Sequence, residues 1–382
     1  MRQVRYTLLY IYVCACLATL LASCDEMHDP ELHAAGRLDM ELLIDQEIAL
    51  ETLWGVDWEQ RWLYDWDETI HGPIGYTEPE TYHLDNFVSG TRNHVNARDM
   101  LGNRVRLSLS YGVYDMLSYN NDFEVIRIDE AKDWSAVTAY TERNTYARVP
   151  SSMKARQSLI AEMPDQLFSV LNTGIVIDDD LTKYEWDEEE GVWLLKIENV
   201  LQPRVFIYLV QVRLLNNKGR VINSGSLTID GLAESVELMT GHTSTNTTAH
   251  QFASYFTQYT QTDGNTVPLI AGRMTTFGIC NEEIWTRYKA MRQAQQSTKV
   301  GFTRPATSPQ NTCHIELIYK NGGRLDVPVD ITDQIWAQPV GGVIDIILDV
   351  DEYEEPQEPS AGGGGIDIGV GGWDEDIHDI TV

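Results

Sequence analysis

The sequence predicts a mostly all-β protein with few short helices. Three observations predict it: a hydrophobic period of two in segment after segment, turn residues between those segments, and few runs with helical period. In "RLDMELLID", Leu38, Met40, Leu42 and Ile44 share one face, while Asp39, Glu41 and Asp45 share the other. In "RVRLSLSY", Val105, Leu107, Leu109 and Tyr111 alternate with polar residues. "VFIYLVQVRLL" aligns Phe206, Tyr208, Val210, Val212 and Leu214. "CHIELIYK" aligns Cys313, Ile315, Leu317 and Tyr319, and "VIDIILDV" adds Ile344, Ile346 and Leu348. Strict alternation is the pattern of a strand with one face on a core and one face to water. "NNKGR" (216–220) and "KNGGR" (320–324) read as hairpin-type turns. Helix is expected in two places only. "PDQLFSVL" (164–171) places Pro164 at a helix start, and "NEEIWTRYKAMRQAQQ" (281–296) carries a capping residue, Asn281.

The N-terminus reads as an export signal. Arg2 and Arg5 precede an apolar run, "TLLYIYVCACLATLL", and the small residues Ala22 and Ser23 follow. The apolar run falls short of the roughly 20 residues that span a bilayer. "LASC" (21–24) resembles the lipobox of bacterial lipoproteins. That resemblance implies cleavage between Ser23 and Cys24, acylation of Cys24, and attachment to outer-membrane lipid. Asp25 and Glu26 resemble the surface-export signal of Bacteroidota lipoproteins, which implies an anchored protein facing the cell exterior.

The chain of 382 residues has 28 basic and 58 acidic side chains, a formal net charge of −30. That balance argues against nucleic acid and against an anionic membrane surface as partners. Cys14 and Cys16 fall in the signal, which leaves Cys280 and Cys313 beyond Cys24. These two can form a disulfide in an exported protein or stay buried as free thiols, and spacing alone leaves both open. Trp54, Trp58, Trp62 and Trp66 recur every four residues. We read them as packing residues, because each buries a large area. The competing reading is an aromatic platform for sugar rings. "DDDLTKYEWDEEEG" (178–191) is rich in carboxylates but lacks the spacing of a calcium loop, so it reads as a solvated hairpin tip. No zinc spacing, nucleophile elbow, phosphate loop or dinucleotide fingerprint occurs. Hence no catalytic residue, metal or cofactor is assigned, and the protein reads as non-enzymatic.

"SYGVYDMLSYNNDFEVI" (110–126) resembles a signature segment of the fimbrillin-like surface lipoproteins of Bacteroidota. Pro164-Asp165-x-Leu167-Phe168, "VQVRL" with the Gly231-Leu232 turn, "TTFG" (275–278) and "VDITDQIWAQPVGGVIDI" (329–346) follow in the same order, and a Gly-rich tail with a Trp completes the set. The resemblance implies two Greek-key, transthyretin-like β-sandwich domains in tandem. It also implies a subunit or anchor of a fimbria-like adhesive structure that assembles by strand addition, with other fimbrial subunits or host and microbial surface ligands as partners. In such stalk subunits a protease trims after a basic residue, a position that Arg37 matches.

The expected organisation is a lipoprotein signal peptide (1–23), an acidic tether (24–35), an N-terminal sandwich (36–198) and a C-terminal sandwich (199–350). An acidic Pro/Gly linker (351–365) and a strand-like tail (366–382) follow. In the tail Ile366, Ile368 and Val370 alternate, which suits a donor strand or a last strand paired in its own domain.

Overall fold

The structure is a computed structural model and describes residues 42–51, 62–91, 93–129, 137–153, 159–261, 264–295 and 301–357. The signal, the tether and the tail lie outside the described residues. So do Ser23, Cys24, Asp25, Glu26, Arg37, Trp54 and Trp58.

The chain divides into two compact units, Met1–Ile44 with Asp180–Lys196, and Asp45–Asp179 with Ile197–Val382. In the first, β10 (Glu185–Asp187) and the start of β11 (Val192–Pro203) form an antiparallel hairpin with Trp186 opposite Trp193. The two rings lie 5.4 Å apart, a cross-strand aromatic pair that fixes the register. The acidic tip, 188–191, is exposed.

The largest sheet is ordered β3 (Asn93–Leu101), β2 (Thr81–Val88), β5 (Gly112–Asn120), β9 (Phe168–Ile177), β11, β1 (Leu42–Leu50), β4 (Arg104–Leu107). A three-stranded sheet is ordered β14 (Ser235–Glu237), β7 (Thr138–Thr141), β6 (Ile126–Asp129). A four-stranded sheet runs β16 (Tyr255–Thr260), β17 (Thr266–Thr276), β12 (Phe206–Leu215), β20 (Gly342–Asp349). A five-stranded sheet runs β19 (Arg324–Asp330), β18 (Thr312–Tyr319), β13 (Val221–Ala233), β15 (Thr247–Ala253), β8 (Ile160–Ala161). The all-β expectation therefore holds. Helix among the described residues is limited to α1 (Glu68–His71), α2 (Ile284–Gln295), α3 (Thr332–Ala337) and short 3-10 turns.

The four- and five-stranded sheets share one core. Tyr208, Val210 and Val212 of β12 meet Ile344 and Ile346 of β20, Leu227 and Ile229 of β13, and Cys313, Ile315 and Leu317 of β18. These are the alternating residues of the sequence and they form one buried face, but the other face of β12, expected to meet water, is buried as well at Ile207, Leu209 and Gln211. Each such apolar side chain contributes about 1.5–3 kcal/mol by leaving water. β20 pairs with β12 in parallel, while β12 pairs with β17 antiparallel. The parallel partner enters close to β12 because Gly341 has φ 99 and a Cβ there would lie 2.3 Å from Ile207 O. A second core joins Phe87, Leu117, Ile126, Ala139, Leu167, Val236 and Phe277.

Four further sequence expectations need correction. Pro164–Leu171 is not a helix: its end is the start of β9, and its polar groups are taken by distant segments. Phe168 N–H donates to Asn120 Oδ1 (2.7 Å), Arg204 N–H donates to Leu167 O (2.7 Å), and Asp165 accepts the amides of Glu124 and Val125. Residues 216–220 turn the chain from one sheet into the other, so they close no hairpin. Asn216, Lys218 and Gly219 there have positive φ, and the Asn217 amide bridges to Val221 N–H and O. The long helix begins at Ile284, and Asn281 adopts φ 57 outside it. The strand at 104 ends at Leu107, which leaves Tyr111 61% exposed.

Candidate functional site

The sheet edges are the sites where this fold can add a strand, and they differ sharply in how they are finished. β19 carries Pro328, which lacks an N–H donor. β15 is covered by the two-residue β8. β20 is covered by side chains from α3 and from Gln338, its C-cap. Gln334 donates to Asp345 O (3.0 Å) and accepts from Asp345 N–H (2.9 Å). Gln338 donates to Val343 O (3.0 Å) and accepts from Val343 N–H (3.2 Å). Two glutamine amides thus do what a neighbouring strand would do.

β16 has no such finish among the described residues. It pairs with β17 from Tyr255↔Ala271 to Thr260↔Thr266, and its other side has no strand. Its sequence, "YFTQYT", has no charge and no proline. Lysine, proline and inward charge are the usual devices that keep an edge from pairing, and this strand uses none of them.

One end of this edge carries rings. Tyr64 stacks on Tyr255 with centroids 5.8 Å apart, His71 lies 4.1 Å from Tyr255, and Trp66 lies 4.8 Å from His71. All four are half-buried. Trp66 Nε1–H donates to Gly72 O (2.9 Å), and Asp67 caps α1 by accepting from Thr69 N–H (2.9 Å). The two described members of the tryptophan series therefore differ in role. Trp62 packs on Ile207, Leu209 and Val343, while Trp66 joins the ring cluster.

Segment 62–77 acts as a strap over the outer face of the four-stranded sheet. Leu63 N–H donates to Gln211 Oε1 (3.0 Å), and Tyr76 O–H donates to Val205 O (2.8 Å). Arg273 Nε–H donates to Ile74 O (2.9 Å). Burial pushes the Tyr76 phenol up, against the pull of Arg273, and lowers the Arg273 guanidinium below its ordinary value.

Cys280 and Cys313 are both free and buried, Cys313 in the sandwich core and Cys280 in the second core. The disulfide left open by the sequence is not formed here. Burial pushes the Cys280 thiol up to about 12 and raises Cys313 as well, so both are inert hydrophobes at neutral pH.

Sequence reasoning missed the open β16 edge and Arg273. The alternation Tyr255, Thr257, Tyr259 was a visible strand signal, but only topology makes that strand an edge.

No family model and no curated protein matches this chain. Among solved structures, a candidate adhesin of Bacteroides ovatus is 15% identical with a TM-score of 0.50, over 85% of this chain and 98% of that one. A candidate polysaccharide-binding protein of Bacteroides thetaiotaomicron is 9% identical with a TM-score of 0.42, over 83% of this chain and 94% of that one. The fimbrial anchor protein Mfa2 of Porphyromonas gingivalis is 10% identical with a TM-score of 0.40, over 80% of this chain and 90% of that one. The last two are weaker likenesses, and the first shows that this chain shares its all-β fold along nearly the whole length of the adhesin candidate.

Proposed function

We propose that this protein is a non-enzymatic, surface-exposed adhesive lipoprotein that assembles by strand addition, with β16 as the acceptor edge. The observation that carries the reading is the uncharged, proline-free β16 in a molecule whose β20 and β15 edges are covered. An incoming strand satisfies the open N–H and C=O groups of such an edge, and pockets for alternate side chains give specificity. The fold shared with a candidate adhesin agrees with this role. Cys24 supplies the lipid anchor in the outer membrane, with Asp25 and Glu26 directing the protein outward. The tail 366–382 is the donor, and other subunits of a fimbria-like structure are the partners. We divide the chain into domains 36–198 and 199–350; the sandwich core, whose buried members fall between Phe206 and Val350, agrees with this division, whereas the second core draws on both ranges.

The test places lysines on the exposed positions of the edge, Gln258→Lys with Thr260→Lys. Electron microscopy and size-exclusion chromatography should show assembly lost and the monomer intact. Ile347→Lys is the control, on an exposed position of the covered strand β20, and it should leave assembly unchanged. Assembly that survives the β16 lysines sinks the proposal.

A second reading, a glycan-binding surface lipoprotein, draws on the half-buried ring cluster of Tyr64, Trp66, His71 and Tyr255. Rings of this kind stack on sugars, and Trp66→Ala should then abolish polysaccharide retention without unfolding the chain.

A further inference from the structure

A cleft of about 470 Å³ opens beside the strap, lined by Tyr76, Asp122, Glu124, Gln166, Arg273 and Thr275 among others. That volume lies within the range of small-molecule sites. Arg273 is half-buried on β17. It donates to two backbone carbonyls, Ile74 O at 2.9 Å and Gly75 O at 3.5 Å, and no carboxylate among the described residues pairs with it. A guanidinium has five N–H donors, so most of its capacity is unspent.

The arginines of this chain fall into two groups: buried Arg204, like Arg273, has no carboxylate partner among the described residues and donates to Ser169 and to the Leu238 carbonyl. Arg104, Arg213, Arg220 and Arg287 each pair with a carboxylate. Three carboxylates share the cleft with Arg273, yet two of them are committed elsewhere. Asp165 Oδ2 accepts the amides of Glu124 (2.7 Å) and Val125 (2.6 Å). Asp122 accepts from Glu80 N–H (3.0 Å) and Asn120 Nδ2 (2.8 Å). Bound in this way, neither is free to swing onto the guanidinium. The cleft therefore offers one fixed cation beside several fixed acceptors.

We propose that this cleft binds a sugar acid, a pyranose bearing one carboxylate, as the ligand of the adhesive surface. The carboxylate takes the fork of Arg273, where a bidentate pair is both strong and directional. The ring hydroxyls donate to Asp122 and Asp165, which have lone pairs to spare, while Glu124 only adds negative charge to the cleft wall. Two alternatives fit less well. A phosphate monoester or free sulfate brings more negative charge toward three carboxylates. A neutral sugar leaves the guanidinium as unpaired as before. The inference gives the adhesive reading a ligand class, and it does not depend on strand addition.

The test is calorimetric titration of the full mature chain with galacturonate, N-acetylneuraminate and, as the uncharged probe, galactose. At least one sugar acid should bind about tenfold more tightly than galactose, with Arg273→Met reducing that preference to about one. Arg273 also holds the strap, so a second variant guards against a folding effect. Glu124→Lys on the cleft wall should tighten the sugar acid about threefold and leave galactose unchanged. Equal binding of acid and neutral sugar, no binding of any probe, or no response to Glu124→Lys overturns the inference. So does an Arg273-dependent acidic tetrapeptide that binds where the sugar acids do not. Assembly is read in the same preparations by size-exclusion chromatography, so failure of sugar binding and failure of strand addition are separately visible.

Discussion

β16 and β20 are the two margins of one four-stranded sheet, and they meet solvent in opposite ways. β20 presents Ile344 and Ile346 to the core, and its outer backbone at Val343 and Asp345 is bonded to Gln334 and Gln338. β16 contributes only Phe256 to the margin of the core and leaves its outer side unpaired by any strand. Stability is concentrated at one margin and the capacity to pair at the other. A binding edge must keep polar groups unsatisfied until its partner arrives, so it cannot also be the best-finished part of the sheet.

The largest effect should come from attacking the closed margin. Ile344 is fully buried in the sandwich core. Ile344→Ala should cost about 3 kcal/mol through lost transfer energy and a residual cavity. Gln258→Ala on the open margin should stay within about 0.5 kcal/mol. Urea unfolding of the two variants measures the contrast directly, and equal midpoints would show that the two margins are energetically alike.

Acid should attack a closed margin more gently. His250 lies on β15 beneath the covering strand β8, fully buried, with Ala161 O 3.3 Å from its Nδ1. Burial drives its pKa down to about 4, against weaker upward pulls from the Ala161 and Glu162 backbone. The unfolded chain protonates this ring near pH 6.5, and the folded chain resists until about pH 4. Its contribution is therefore complete above pH 6.5 and fades as pH falls toward 4. Between pH 7 and pH 5 the loss should be about 2 kcal/mol. His83 carries the opposite sign. Burial would lower it, but Asp85 and Asp99 outweigh burial and raise it to about 9. That stabilisation is full below pH 6.5 and is lost as pH rises through 9. Comparing the native chain with His250→Asn isolates the acid limb. If both lose stability in parallel down to pH 5, the buried ring is not what acid attacks.

The contrast between margins was only half legible in the sequence. Residues 206–214, 313–319 and 344–348 announced their buried faces because alternation records burial one residue at a time. Which strand ends a sheet is not a local property. "YFTQYT" reads as a strand in any position, and nothing within it says that a partner is missing. The turn at 216–220 failed for the same reason: its Asn, Lys and Gly chemistry specifies a reversal of the chain but not the sheet that the next strand joins. Pro164 misled because a helix-start residue outweighs tertiary demand only when the following backbone groups have no distant claimant. Here Asn120 and Arg204 claim them. Arg273 was invisible because its surroundings come from the strap nearly 200 positions earlier, a separation that no sequence pattern records.

The smallest energetic effect should be the most informative about assembly. Gln334→Ala with Gln338→Ala removes four bonds between side chains and the β20 backbone. Water can replace most of them, so the expected cost is about 1 kcal/mol. The consequence for pairing is larger than that number suggests. Val343 and Asp345 then present bare N–H and C=O groups, and β20 becomes a second open edge like β16. The double variant should form branched or larger species at concentrations where the native chain is uniform. Adding the β16 lysines should leave that new association in place while removing the native kind. If the glutamine variant assembles as the native chain does, the amides are incidental to β20, and the difference between the two margins lies in the core beneath them.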